Sequence, residues 1–215
     1  MKKEKSNKYK ALMMDLGGVV IDLDFSRFIR EVIPPTLQNA QTQIMMEIFR
    51  QSDIYHQGLI SNEEFYNLAC NVVEACMLDK EEFFRAFNSI IAGRNERMIE
   101  LIKDIKEHNN IKMICISNIN NSHHEFIKDQ HWDLFNLFDE VILSHEVNAT
   151  KPDPKIFKIA IKKAKCKSRD IIYIDDGLNN VKAASKLGIN SIQFHSTSQV
   201  IDKLKQLGIN ITFKP

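Results

Sequence analysis

The chain has 215 residues, 44% apolar and 27% charged, and its 29 Lys and Arg against 28 Asp and Glu leave a formal charge of +1. That composition is ordinary for a folded soluble chain, long enough for one large domain or a core with a modest second lobe. The near-zero balance supplies no field for nucleic acid or an anionic membrane, and no run approaches the roughly 18 apolar residues of a membrane span.

The one charge run, Met1 to Lys10, carries Lys2, Lys3, Lys5, Lys8 and Lys10 and reads as a solvated terminus. A signal peptide is not expected, because Asp15 interrupts the apolar stretch behind it and no small-residue cleavage site follows. Ala11–Met14 is the first expected strand, breaking at Asp15 into the turn Leu16-Gly17-Gly18. A carboxylate at the end of a buried strand is costly unless it is used, and open α/β sheets gather their ligands at that edge. An aspartate opening a glycine turn is also a common structural device.

Between Phe25 and Ala92 no strand is expected. Amphipathic helical segments at Asn39–Gln51, Asn62–Val73 and Lys80–Ile91 are punctuated by Pro34-Pro35 and Gln57-Gly58, and together read as a lid over the strand ends. The rhythm then alternates. A helix over Asn95–His108 leads to strands at Lys112–Ile116 and Glu140–Leu143, a helix over Asp153–Ala164, a strand at Ile171–Ile174, a helical run Asn180–Leu187 and a strand at Ser191–Phe194. Such alternation predicts a parallel sheet with helices on both faces. Cys70, Cys76, Cys115 and Cys166 lack C-x-x-C pairing and read as reduced packing residues of a cytoplasmic protein.

Four strand ends carry chemistry. Asp15 is the candidate nucleophile, because carboxylates form covalent phosphoryl intermediates. Ser117-Asn118 follows the strand Lys112–Ile116, where a hydroxyl and backbone N–H groups can hold phosphoryl oxygens, or simply start a helix. Lys151, extended by Pro152 behind it, can project an ammonium into a cleft, although most lysines are solvated. Asp175-Asp176 closes the strand Ile171–Ile174 with adjacent carboxylates, whose repulsion calls for a cation, with helix capping as the plainer role. Mg²⁺ suits a few carboxylates, waters and substrate phosphate.

In that order the four segments resemble the haloacid dehalogenase (HAD) superfamily of hydrolases, most of which are Mg²⁺-dependent phosphatases. Asp15-Leu16-Gly17-Gly18-Val19-Val20-Ile21-Asp22, Ser117-Asn118-Ile119-Asn120 with His123, and Ile174-Asp175-Asp176 with Asn180 are similar to its bacterial sugar-1-phosphate phosphatase branch, as is the segment from Gln57 to Phe65. The resemblance implies an α/β fold, with a Rossmann-like catalytic core over 1–24 and 93–215 and a small helical cap domain, 25–92, inserted after the first strand. It implies Mg²⁺ held by Asp15, Asp176 and the Gly17 carbonyl with Asp175 close by, Ser117, Asn118 and Lys151 on substrate, and a small phosphorylated metabolite as partner. Oligomeric state is left open.

Most phosphatases of that superfamily carry an aspartate two residues after the nucleophile as general acid; here Gly17 stands there. General acid help is worth about 10²–10⁴-fold, a small part of total accelerations that approach ~10²¹ for phosphate monoesters. The expectation is therefore a phosphatase favouring good leaving groups, such as anomeric sugar phosphates or acyl phosphates. Asp22, Asp24 or His123 could donate a proton instead, although each reads more simply as structural. The alternatives are a 2-haloacid dehalogenase, which needs no metal, and a non-catalytic binding module on the same fold.

Overall fold

The computed structural model describes residues 8–73 and 78–212. Met1 to Asn7 of the basic terminus, and Cys76, lie outside them. Five strands form one parallel sheet: β1 (Ala11–Met14), β4 (Lys112–Ser117), β5 (Glu140–Leu143), β6 (Ile171–Asp175) and β7 (Asn190–Gln193), in the order β5-β4-β1-β6-β7. β1 is central, with Met14 in register with Cys115 on one side and Ile174 on the other.

Alternation along the strands explains their continuous apolar runs. Leu12 and Met14 of β1 join Met113 and Cys115 of β4 in one buried cluster. Ala11 and Met13 join Ile114 and Ile116 in another. Both faces are therefore covered, as parallel sheets require. The first face is closed by α5 (Glu96–His108), α6 (Asn121–Asp129) and α10 (Thr197–Gln206), the second by α8 (Pro154–Ala164) and α9 (Leu178–Lys186). Helix starts follow capping chemistry: the side chains of Asn95, Asn120, Asp153 and Ser196 each accept a backbone N–H of the helix they precede.

A third cluster is drawn wholly from residues 28–90, including Phe28, Tyr55, Phe65, Phe83 and Phe87. It is built by α1 (Ser26–Val32), α2 (Gln41–His56), α3 (Asn62–Val73) and α4 (Lys80–Asn88), with a 3-10 turn at Pro35–Ala40. Here the structure departs from the sequence pattern. The expected helix Lys80–Ile91 stops at Asn88, and Ile91 opens a strand, β3 (Ile91–Arg94), that pairs antiparallel with β2 (Ile21–Leu23). β3 straddles the boundary expected between residues 92 and 93. Its reason is reciprocal: Ile21 pairs with Arg94 and Leu23 with Ile91, so each short strand satisfies the other's backbone. α7 (Ser144–Val147) is a single turn after β5, and further 3-10 turns lie at Leu134–Leu137 and Ser168–Asp170.

The cysteines also need correction. Cys115 and Cys166 are free, but Cys70 is disulfide-bonded. Among the described residues, no helix is long and apolar enough to cross a membrane.

Candidate active site

The four expected segments converge at the carboxyl edge of β1, β4 and β6. Asp15 leaves β1 with its backbone N–H on the Ile174 carbonyl at 3.0 Å, which fixes it beside the end of β6. Its Oδ1 accepts the Leu16 N–H at 2.7 Å and its Oδ2 meets the Lys151 Nζ at 2.7 Å. The same Nζ lies 2.7 Å from Asp175 Oδ2, so one buried ammonium is clamped between two buried carboxylates.

Asp175 was expected beside a metal, and its surroundings define it further. Oδ2 accepts from Lys151 and from the Tyr173 hydroxyl; Oδ1 accepts from the Gly177 N–H at 2.8 Å and Asn180 Nδ2 at 2.9 Å. A carboxylate offers about four acceptor positions, and these donors occupy them. Asp176, the exposed member of the pair, has an oxygen within 4.8 Å of ligand atoms of Asp15 and Asp175.

Charge explains what this cluster lacks. Among the described residues it holds three carboxylates and one ammonium. Burial raises the Asp15 carboxyl to about 7, opposed by the Lys151 charge and reinforced by that of Asp175. Burial and the Asp175 charge likewise push Asp176 up. For Asp175 the burial penalty is outweighed by Lys151 and the donated hydrogen bonds, which hold it low. For Lys151 burial is outweighed by the two aspartates, which raise it and keep it charged. A divalent cation near Asp15 and Asp176 relieves the remaining negative charge, so the donor set fits one.

The other expected residues have distinct places. Ser117 is buried at the end of β4, on the wall of a cavity of about 230 Å³ that Gly17 and Asn118 also line. Asn118 is tied to a backbone: its Nδ2 donates to the Lys151 carbonyl at 2.9 Å and its Oδ1 accepts the Lys151 N–H at 2.7 Å. Gly17 makes an isolated bridge with Ile21, and Gly18 turns at φ 72° directly under Asp176.

The alternative proton donors fare differently. Hydrogen bonding from Ser26, its side chain first and then its backbone N–H at 2.9 Å from Asp24 Oδ1, lowers the Asp24 pKa. Asp22 lies in β2. His123 is buried, and burial drops its pKa to about 3. Its Nε2–H donates to the Phe87 carbonyl at 3.1 Å and its Nδ1 accepts from Asn120, so it is a neutral imidazole with both nitrogens engaged.

Some features escaped the sequence reading. Tyr173 is two residues before Asp175, hence on the same strand face, and that spacing was a usable signal. Asn120 donates to both His56 and His123 while capping α6. His124 of α6 and His145 and Glu146 of α7 bring ligand atoms within 4.8 Å of one another, a grouping that arises only in the fold.

A family model for haloacid dehalogenase-like hydrolases matches residues 9–188. The chain is similar to a D-ribitol-5-phosphate phosphatase of Bacteroides thetaiotaomicron, 23% identical over 192 residues, 86% of this chain and 91% of that one. It is 25% identical over 204 residues to a drimenol cyclase of Aspergillus calidoustus, a match covering 92% of this chain but only 36% of that protein's length. Among solved structures, a HAD family enzyme of Bacteroides thetaiotaomicron in complex with magnesium and inorganic phosphate superposes with a TM-score of 0.73 at 27% identity, over 87% of this chain and 94% of that one.

Proposed function

We propose that this chain, which belongs to the haloacid dehalogenase-like hydrolases, hydrolyses small phosphate esters through an aspartyl-phosphate on Asp15. The observation that carries the reading is the buried Asp15–Lys151–Asp175 clamp with Asp176 beside it at the sheet edge. The solved relative's magnesium and phosphate, and the phosphatase named above, support the same chemistry.

Asp15 attacks phosphorus with one carboxylate oxygen as the ester oxygen departs, and water then cleaves the acyl phosphate to regenerate the carboxylate. Lys151 favours the ionised form of Asp15 against the burial that raises its pKa, orients it, and offsets charge on the phosphoryl oxygens. Ser117 binds a phosphoryl oxygen at the end of β4. Asn118 acts through Lys151 as a positioning residue. Asp15, Asp176 and the Gly17 carbonyl would hold Mg²⁺, which when bound would supply charge neutralisation for the transferring phosphoryl group. Asp175 supports Lys151 and the loop after β6. Residues 25–92 serve as a cap over this edge.

With glycine at position 17 and His123 neutral with both nitrogens engaged, neither of these positions among the described residues supplies an acid to the leaving oxygen, which takes its proton from solvent. Anomeric, acyl and aryl phosphates all meet that requirement. The carboxylate excess over Lys151 disfavours halide displacement, which involves no metal.

The test is phosphate release from a panel of esters with Mg²⁺, with chelator, and with Asp15→Asn. Turnover that depends on both metal and Asp15 is expected. An Asp15→Asn variant as fast as the parent overturns the proposal.

A further inference from the structure

The cavity beside Gly17, Ser117 and Asn118 has a one-sided chemistry. Leu16, Ile119 and Ile127 wall it from the sheet side, and Phe49, Phe87 and Ile90 from the helical side. Among its described lining residues there is no carboxylate, ammonium or guanidinium. The polar side chains are His56, Ser117, Asn118 and His123.

Three of these four are already committed elsewhere, wholly or in part. His56 donates from Nδ1 to the Ser52 carbonyl at 2.8 Å, so its Nε2 accepts from Asn120 at 3.2 Å. His123 has both nitrogens engaged and stacks on Phe87 with ring centroids 4.3 Å apart. Burial lowers the pKa of both histidines, so neither is a cation at neutral pH. The Asn118 amide gives one N–H and one oxygen lone pair to the Lys151 backbone, keeping a second N–H and a second lone pair. Ser117 remains, buried at the end of β4.

A hydroxylated leaving group would therefore find only Ser117 and the second half of the Asn118 amide to receive its hydroxyls, and would place the rest against carbon or against histidine nitrogens that already have partners. Buried hydroxyls without partners are disfavoured, while apolar groups gain by leaving water. The volume of about 230 Å³, at roughly 30 Å³ per water-sized unit, admits about eight non-hydrogen atoms. Leu23 and Phe49, both 38% exposed, line its walls with an outward side.

We infer that the alcohol carried by the substrate is apolar and of single-ring size, so that this enzyme takes aryl or compact hydrocarbon phosphates in preference to sugar phosphates. The inference rests on the phosphatase reading and narrows its substrate class. It also agrees with the missing acid at position 17, because a phenol departs without protonation more readily than an aliphatic alcohol.

The experiment compares two esters of nearly equal size and similar leaving-group acidity, para-ethylphenyl phosphate and para-(hydroxymethyl)phenyl phosphate, with Mg²⁺ present. They differ by a methyl for a hydroxyl. The expected result is a kcat/KM at least about tenfold higher for the ethyl compound, carried mainly by KM. Phe49→Asn is expected to bring that ratio towards one. Turnover of both esters at equal efficiency, or faster turnover of the hydroxymethyl ester, overturns the inference and leaves the phosphatase reading standing. Hydrolysis of neither ester overturns both.

Discussion

Gly18 and Asp176 meet so closely that a Cβ on the glycine would lie 2.5 Å from Asp176 Oδ2. The first loop and the last thus share one small space, and Gly18 also sits at φ 72°, where an L side chain costs about 1–2 kcal/mol. Gly18→Ala is expected to swing the Asp176 carboxylate aside. The Mg²⁺ concentration giving half-maximal rate should rise about tenfold or more, with cooperative unfolding retained. Gly93→Ala, with nothing within 4 Å of its added Cβ, is the control and should change stability by less than about 0.5 kcal/mol.

Asn118→Ala removes both hydrogen bonds to the Lys151 backbone. Each is worth about 0.5–1.5 kcal/mol, so stability in urea should fall by about 1–3 kcal/mol. Loss of the latch should also let the ammonium drift from Asp15, lowering kcat about tenfold or more. A kcat equal to that of the parent would show that the latch is dispensable.

Gly17→Asp restores a carboxyl at the vacant acid position. The added Cβ meets Leu23 Cδ1 at 3.3 Å, the tip of a partly exposed side chain that can give way. Alkyl phosphates, whose alcohols need protonation, should gain relative to aryl phosphates by about 10²-fold. An unchanged alkyl-to-aryl ratio would show that the new carboxyl does not reach the leaving oxygen.

Stability should fall with acid through His123. Its folded pKa of about 3 lies below the ordinary 6.5, because burial disfavours the imidazolium. Between those values the unfolded chain binds the extra proton, so stability is full above about 6.5 and is lost as pH falls towards 3. The slope from this group is up to about 1.4 kcal/mol per pH unit. Urea unfolding from pH 7 to 4 should show it, and His123→Gln should flatten it.

The parallel sheet was legible because buried strands carry unbroken apolar runs, and Asp15, Ser117 and Asp175 because each closes such a run. Lys151, expected at a strand end too, instead follows α7, which separates it from β5. The β2–β3 ribbon was not. Its strands are three and four residues long, Asp22 is exposed and Leu23 only partly buried, and its pairing joins positions far apart in sequence. The task of Asn118 was equally hidden, since its partner is a backbone 33 residues away. Asp175 announced a charge but not the four donors that saturate it, of which only Tyr173 could have been found by counting alternate positions.

The ribbon also bears on how such a molecule can change. The polypeptide departs at Leu23 and returns at Ile91 through neighbouring strands, whose backbones run about 5 Å apart. Whatever is spliced between those two points can be lengthened, shortened or exchanged without rethreading the sheet beneath. The inserted stretch can therefore vary while Asp15, Lys151 and Asp175 keep their places on chain outside it, although Ser117 and Ile119 on that outer chain still share the cavity wall with Phe49 and Phe87.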